Sequence, residues 1–461
     1  MPHVQCLPPE LLYYVLELAC FAEAPAHAQK AAVLGRVSKL WREMVFSNPG
    51  IWTCFYVSKC GDPRNFGAPL LRSGGLLVDV HVVDEAINLK AAREQLNTLA
   101  QHSSRWRNVE ISHPDAFALL GKAVPLVLPK LQSLAVKVTF QRPPPALLYF
   151  YSSPEYPGAP DICLGWKNRM YPSLRNLDLY DIELKPEEME DFLGFLEPHT
   201  TLERLALRNT WVPHAYTPSR TVVLPHLKEL QLRAIPSSEI LRSISAPNLQ
   251  KLVVEKSSQL RYWTPVDIKS NYATATNVTL IRFSTAPDAL QNVLHAVPLA
   301  SEVKFASMDL GSRYSFCTEI ILLEHKLPLL TSLHIQGVAS LARLKAVAET
   351  YKETLTEVKV HCLDLGLPEE SFLKDYSERD EALEWLKDQA TFRFDIDHSV
   401  DAFGGRYRYH EDQKSRRKMG FISKEEAKPV GGQRALTVGA DEVPNASSAA
   451  WRASTPRRPF D

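Results

Sequence analysis

The residues that could carry out chemistry in this chain are scattered and form no recognisable catalytic or metal-binding set. Fourteen histidines occur, and none has a partner at the spacing of a metal site. The nearest of the seven cysteines, Cys54 and Cys60, also have no histidines at zinc spacing. Phosphate-binding, metalloprotease and hydrolase motifs are missing, and the acidic pair Glu187–Glu188 is expected on a solvated surface. We therefore expect no enzyme, no metal and no cofactor.

Composition favours a globular protein that binds neither nucleic acid nor membrane. The chain of 461 residues is too long for a single ordinary hydrophobic core. Its content of 45% hydrophobic and 23% charged residues is ordinary for a globular protein. Lysine plus arginine equals aspartate plus glutamate at 53 each, so no global field attracts an anionic surface. An odd number of scattered cysteines, with no secretory signal and no bilayer-length apolar stretch, is typical of a reduced compartment. The expected location is cytoplasmic, nuclear or both.

The first fifty residues predict two helices with apolar faces. Pro9 and Glu10 suit a first helical turn, because proline lacks an amide donor and the carboxylate faces the positive end of the dipole. Helical spacing then places Leu11, Val15 and Leu18 on one face, with Leu12, Leu16 and Ala19 beside them. A second pattern runs through Leu34, Val37, Trp41 and Met44 and ends at Pro49. A unit this small buries too little surface to stand alone, which predicts a partner.

The same segment resembles an F-box over about residues 5–55. The resemblance rests on L-P-x-E-L-L at the start, V-x-x-x-W-R in the middle and P-x-I-W at the end. The chain departs from the family in a longer, alanine-rich connection at 21–32 and in Ser38, where the family often has cysteine. The matching residues are Leu7, Pro8, Glu10, Leu11, Leu12, Val15, Leu16, Val37, Trp41, Arg42, Pro49, Ile51 and Trp52. We accordingly assign residues 1–60 to a helical F-box domain.

The resemblance implies a specific partner. F-box domains dock onto a Skp-family adaptor, which links them to a cullin scaffold in an SCF-type ubiquitin ligase. In that family the apolar anchors form the contact or support it, and the sequence leaves open which of them face outward. Carried over residue by residue, the expected adaptor-binding set is Leu7, Pro8, Leu11, Val15, Leu16, Val37, Trp41 and Trp52.

From about residue 77 a short pattern recurs, in which apolar residues occupy the first, fourth and sixth positions. Copies begin at residues 77, 106, 131, 174, 202, 227, 249, 278, 300, 330 and 355, and all intervals but one, of 43, fall between 22 and 30 residues. This pattern resembles leucine-rich repeats, which run about 20–29 residues. The family's usual Asn or Cys after the strand is replaced by Ile182, Thr210 and Ile235. The alternative is an ordinary β/α domain with coincidental leucines.

The resemblance implies an α/β fold in which strand-plus-helix units stack into an irregular solenoid with a parallel concave sheet over residues 61–400. The positions between the apolar residues would then face outward and contact a protein cargo. As a set they are mixed in charge, which argues against a purely anionic or purely cationic cargo, and each could equally be an ordinary exposed strand residue. The cargo-surface candidates are Tyr180, Arg208, Arg233, His334 and Lys359.

Three further segments punctuate the chain. The long interval contains six prolines between residues 143 and 160, which predicts an insertion loop at about 141–170. This loop is either a surface insertion without function or, because it contains aromatic residues such as Trp166, a lip that contacts cargo. A helix through Leu373–Leu386 and a strand at 392–396 would cap the sheet. Residues 401–461 have the composition of a polar, largely disordered tail, and the basic run 414–418 could be a nuclear address.

The sequence therefore predicts a substrate-recognition adaptor, docked to a Skp-family protein through its start and bound to an unknown protein substrate through its repeats. In this class the protein supplies proximity and carries no catalytic residue of its own. The alternative is a repeat scaffold whose F-box assembles a complex unrelated to degradation.

Overall fold

The structure is a computed structural model, and all the residues it describes belong to one unit, Met1–Val400. It describes residues 7–21, 27–59, 63–83, 87–138, 166, 168–181, 184, 186–208, 219–235, 237–256, 271–281, 287–306, 322, 327–364, 375–389 and 393–396. The predicted disordered tail and basic run, the sequence from 139 to 165 in the predicted insertion loop, and Leu373 and Phe392 lie outside these residues.

The chain begins with a helical unit, Leu7–Trp52. It contains α1 (Pro9–Phe21), α2 (His27–Leu34), α3 (Lys39–Ser47) and a 3-10 turn (Pro49–Trp52). The prediction of one helix through Leu34–Met44 was wrong, because the chain turns at residues 35–37 and a new helix begins at Lys39. Ser38 causes this restart: its side chain accepts a hydrogen bond from the Trp41 amide at 3.1 Å, as an N-cap residue does.

The remainder of the described chain is organised around one large parallel sheet. Thirteen of the described strands are hydrogen-bonded in chain order, and β1 and β15 are the two ends of this open sheet. Two short strands, β7 and β9, form a separate parallel pair. The strands are β1 (Cys54–Val57), β2 (Val78–Val82), β3 (Trp106–Ser112), β4 (Ser133–Lys137), β5 (Asn176–Tyr180), β6 (Arg204–Arg208), β7 (Val222–Val223), β8 (Glu229–Ile235), β9 (Ile244–Ser245), β10 (Lys251–Lys256), β11 (Asn277–Ile281), β12 (Glu302–Ala306), β13 (Ser332–Ser340), β14 (Glu357–Asp364) and β15 (Arg393–Ile396).

Each predicted repeat strand is confirmed, and so are the final strand and the parallel pairing. In several copies the first leucine of the motif lies just before its strand and is buried, as at Leu131, Leu174 and Leu202. The two alternating apolar residues within the strand, such as Leu177 and Leu179 of β5, are fully buried because they share one side of the sheet. The positions between them lie on the opposite, polar side.

Helices cover the apolar side of the sheet. They are α4 (Gly67–Arg72), α5 (Leu89–Ala100), α6 (Ala116–Ala123), α7 (Pro186–Leu196), α8 (Ser237–Ser243), α9 (Pro287–Ala296), α10 (Leu341–Thr350) and α11 (Asp375–Asp388). Side chains such as Leu96, Phe192 and Val347 join the strand leucines in one continuous hydrophobic core. The expectation that Glu188 is solvated was wrong, since it is buried on α7. Trp166 packs against Phe192 and Phe195 of this core and is therefore no part of an exposed aromatic lip.

Hydroxyl side chains satisfy backbone carbonyls just before the strands. Thr201 Oγ1 donates to the Leu174 carbonyl of the preceding repeat at 2.8 Å, and Thr274 Oγ1 does the same to the Leu249 carbonyl at 3.0 Å. These bonds recur at one position of the repeat, and they satisfy buried backbone acceptors that would otherwise cost free energy.

The helical unit leads directly into the sheet. Only Thr53 separates the 3-10 turn from β1, a strand that lies within the range predicted for the helical domain. Thr53 Oγ1 donates to the Gly50 carbonyl at 2.8 Å, and the Thr53 carbonyl accepts from the Asp79 amide at 2.8 Å. The connecting residue is therefore hydrogen-bonded on both sides.

Candidate functional site

The helical unit has a small core of its own. Leu12, Leu16 and Cys20 follow one another at four-residue spacing along α1, so they lie on one side of the helix and are fully buried. The Trp52 indole packs at the centre, and its Nε1 donates to the Val45 carbonyl at 3.0 Å. This core, distinct from the core beneath the sheet, consists of Leu12, Leu16, Cys20, Ala31, Met44, Val45, Ile51 and Trp52.

The opposite side of α1 is apolar and exposed. Leu11, Tyr14 and Leu18 are 52%, 60% and 53% exposed, which is unusual for side chains of this size when they cluster. The spacing of eleven, fourteen, fifteen and eighteen places four such residues on one face of the helix, and the exposed Leu7 lies two residues before its start. We call Leu7, Leu11, Tyr14, Val15 and Leu18 the apolar face.

The structure divides the predicted adaptor-binding set. Leu7, Pro8, Leu11, Val15 and Val37 are exposed. Trp41 is half-buried, whereas Leu16 and Trp52 lie inside the small core. The buried pair can therefore support a contact surface but cannot form it in this conformation.

Sequence reasoning left several exposed apolar residues out of the predicted set. Tyr14 and Leu18 lie three and seven residues after Leu11, so helical spacing could have added them. Val33 and Leu40 flank the turn between α2 and α3, which the sequence had not predicted.

Electrostatics add little chemistry to the helical unit. Burial raises the pKa of the Cys20 thiol to about 11, so this sulfur is protonated and unreactive at neutral pH. Cys54, at the start of β1, also has its pKa raised to about 11, by burial and by the nearby Asp79 carboxylate. Neither cysteine is a candidate nucleophile.

The polar side of the sheet is a second surface, and its side chains fall into rows because neighbouring strands are in register. The first row pairs opposite charges. Arg204 lies 3.4 Å from the carboxylate of its register partner Glu229 and 3.4 Å from Asp178 of the next row, and Lys251 contacts Glu229 at 2.8 Å. Alternating charges on adjacent strands of this row neutralise one another.

Near both ends of the sheet, histidines pair with glutamates. His81 contacts Glu110 at 3.0 Å and stacks on Tyr56, and this bond lowers the pKa of Glu110. At the other end, Glu357 accepts from Lys359 at 2.7 Å and lies 3.3 Å from His334. The Lys359 bond, with help from His334 and Ser332, lowers the pKa of Glu357 to about 2.

A third row is different, because two of its arginines are register partners of each other. Across β4, β5, β6 and β8, the register places Lys137 beside Tyr180, Tyr180 beside Arg208, and Arg208 beside Arg233. The Arg208 guanidinium lies 4.9 Å from the Tyr180 ring centre and donates to Gln231 at 2.9 Å. We call Lys137, Tyr180, Arg208 and Arg233 the cationic row.

The structure therefore brings the cargo-surface candidates together in two groups. Tyr180, Arg208 and Arg233 are consecutive neighbours in the cationic row, and His334 and Lys359 are neighbours on β13 and β14. All five are partly exposed on the same side of the sheet. Lys137 completes the first group, and only the strand register identifies it as a neighbour of Tyr180.

The described residues contain neither a cluster of metal-ligating side chains nor a helix that could span a membrane. Among these residues, no group of three or more histidine, cysteine, aspartate or glutamate side chains could hold a metal ion. No described helix combines the length and hydropathy needed to cross a bilayer. No protein-family model matches the chain, and no curated protein is significantly similar to it.

Proposed function

We propose that this chain is a substrate-recognition adaptor of an SCF-type ubiquitin ligase. Its helical unit acts as an F-box that binds a Skp-family adaptor, which connects it to a cullin. The repeats form a leucine-rich-repeat solenoid, whose polar sheet face binds a protein cargo. The proposal combines the F-box resemblance of residues 5–55 with the repeat pattern that follows it.

The observation that carries the proposal is the apolar face of α1. A helical unit with its own core has no internal reason to expose Leu11, Tyr14 and Leu18 together. Contact with a partner would remove this surface from water, at about 25 cal/mol for each Å² buried. Side chains of this type at the centre of an interface commonly provide most of its binding energy.

The first test is capture of a purified Skp-family adaptor by the full-length chain. Replacing Leu11 and Val15 with aspartate places two charges in the contact, so we expect capture to be lost. Leu71→Asp is the matched control, because Leu71 is 83% exposed on α4 and lies outside the apolar face. Capture that survives in the double variant, or that is equally lost in the control, would contradict the docking assignment.

The second test separates a ligase adaptor from a scaffold that uses the same docking face. The wild-type chain should co-purify with a cullin as well as with the Skp-family protein. Deleting residues 1–52 should remove both partners. Capture of the adaptor without any cullin would favour the non-degradative scaffold.

A further inference from the structure

We propose that Tyr14 is a phosphorylation site and that its modification switches adaptor docking off. The inference rests on the proposed function, since it names a regulator of the same apolar face. A protein tyrosine kinase would transfer the γ-phosphoryl group of ATP to the Tyr14 oxygen. In that step an O–P bond forms at the side chain, ADP leaves, and the hydroxyl proton passes to the kinase.

The two consecutive tyrosines of α1 lie in different surroundings. Tyr13 packs against the small core of the helical unit, and its hydroxyl lies 3.4 Å from Ser47 Oγ on α3. Tyr14 lies outside that core and is 60% exposed. Tyr14 is therefore accessible to an enzyme, whereas Tyr13 is held against the fold.

Tyr14 places a hydroxyl within an otherwise aliphatic surface. Leu11 lies three residues before it and Leu18 four residues after it, so the three side chains are neighbours on the helix. An adaptor that covers Leu11 and Leu18 must also cover Tyr14. The neutral ring adds apolar area to such a contact, whereas its phosphate ester would bring about −1.5 to −2 charges into it at pH 7. Burial of a charge without a partner opposes the contact.

The α1 helix supplies no counter-charge for a phosphate on Tyr14. Its 13 residues include no lysine or arginine. Glu10 lies four residues before Tyr14 and Glu17 three residues after it, so each carboxylate is about one helical turn from the hydroxyl. Tyr14 also lies beyond the first turn, where the helix dipole would stabilise an anion. The charge of the phosphate would therefore remain unneutralised by the helix that carries it.

Docking and phosphorylation compete for the same side chain. In the undocked chain, the helical unit is held by a core of only eight buried side chains, which permits local opening of α1 in the presence of a kinase. A bound adaptor would both cover Tyr14 and stabilise α1 against this opening. Adaptor binding should therefore slow the modification, and the modification should prevent adaptor binding.

The first test measures the affinity of a purified Skp-family adaptor for four full-length proteins. They are the wild type, Tyr14→Phe, and two proteins with phosphotyrosine incorporated at position 14 or at position 180. Phosphate on Tyr14 should weaken binding at least about 100-fold, because an unpaired charge enters the contact. Tyr14→Phe keeps the ring and loses only the hydroxyl, so it should weaken binding less than about 10-fold. Phosphate on Tyr180, which lies on β5, should leave binding unchanged.

The second test asks whether position 14 accepts phosphate. The wild-type protein is incubated with a soluble tyrosine kinase and MgATP, and mass spectrometry should locate phosphate on Tyr14. Saturating adaptor should slow this reaction at least about 10-fold. In the variant with Leu11→Asp and Val15→Asp, which should not bind the adaptor, added adaptor should leave the rate unchanged. Hydrogen exchange of residues 7–52 should match wild type when Tyr14 is phosphorylated, because the side chain is exposed.

Four results would overturn the proposal. They are a loss of affinity with phosphate on Tyr14 no larger than that of Tyr14→Phe, an equal loss with phosphate on Tyr180, no phosphate at position 14 after kinase treatment, and faster exchange throughout residues 7–52 in the phosphorylated protein. The last result would mean that unfolding, and not charge in the contact, removes binding. If the unmodified wild type fails to bind the adaptor, the ligase function itself is rejected. If the wild type and the protein phosphorylated on Tyr14 bind equally, only the switch is rejected.

Discussion

Replacing Leu16 with alanine should unfold the helical unit while the sheet stays folded. Leu16 is fully buried in a core of eight side chains that is separate from the core under the sheet. Truncating a buried leucine costs about 2–5 kcal/mol, which combines lost hydrophobic transfer with the cavity left behind. A core in a unit of this size supplies about 3–5 kcal/mol, so the loss is comparable to its whole stability.

Hydrogen exchange read by mass spectrometry can locate this effect along the chain. For peptides within residues 7–52, a loss of about 2–5 kcal/mol corresponds to exchange faster by about 30-fold to several thousand-fold. Leu18→Ala is the matched control, since the same substitution on the same helix removes a side chain that is 53% exposed. Its cost should stay within about 0.5 kcal/mol.

Two outcomes would refute this reasoning. Equal exchange of residues 7–52 in Leu16→Ala and Leu18→Ala would mean that the small core does not hold the helices together. A parallel loss of protection in β5, β6 and β8 would mean that the helical unit and the sheet unfold as one cooperative core.

Two further perturbations test the sheet. Arg169→Met should lower the midpoint of urea unfolding by the equivalent of about 3 kcal/mol in unfolding free energy. The reason is that buried Arg169 donates hydrogen bonds to the Leu120 carbonyl at 2.6 Å and to the Tyr171 hydroxyl at 2.7 Å. The control Arg175→Met changes a side chain that is 61% exposed, so it should leave the midpoint nearly unchanged. Glu357→Gln should lower Tm at pH 7 but not at pH 2. In the folded protein the pKa of Glu357 is about 2, lowered from 4.5 mainly by the hydrogen bond from Lys359. The ionised carboxylate therefore stabilises the fold above pH 4.5, and this stabilisation is lost as the pH falls towards 2. A difference in Tm that persists unchanged at pH 2, or that appears equally in the exposed-site control Glu353→Gln, would contradict the Glu357 argument.

The strands of the sheet could be predicted because their pattern reports burial directly. In segments such as Leu202–Leu207, the apolar residues must lie on the same side of a strand, and proline or polar residues precede many of the copies. By contrast, β1 was missed because Cys54–Val57 lacks the preceding leucine of the repeat. The α5 helix carried an unused signal, since Asn88 precedes its apolar pattern and caps it by accepting from the Ala91 amide at 2.8 Å.

The candidate surfaces were less predictable because each depends on three-dimensional neighbours. Helical spacing placed Leu11, Val15 and Leu18 together, but only packing decides that this face is exposed and the face of Leu12 and Leu16 is buried. Sequence alternation put Arg208 and Arg233 on the polar side without showing that they are direct neighbours. As a list, the outward residues are mixed in charge, whereas the register shows which of them are neighbours, such as Arg204 with Glu229 and Arg208 with Arg233.

The single-residue junction at Thr53 has a mechanical consequence. Because Thr53 is hydrogen-bonded on both sides and no flexible linker separates the helices from β1, the orientation of the helices fixes the orientation of the first strand. A molecule bound to α1 would consequently determine the orientation of the whole sheet. If the sheet binds a protein cargo, as we propose, a partner bound to α1 would hold that cargo in a restricted range of orientations.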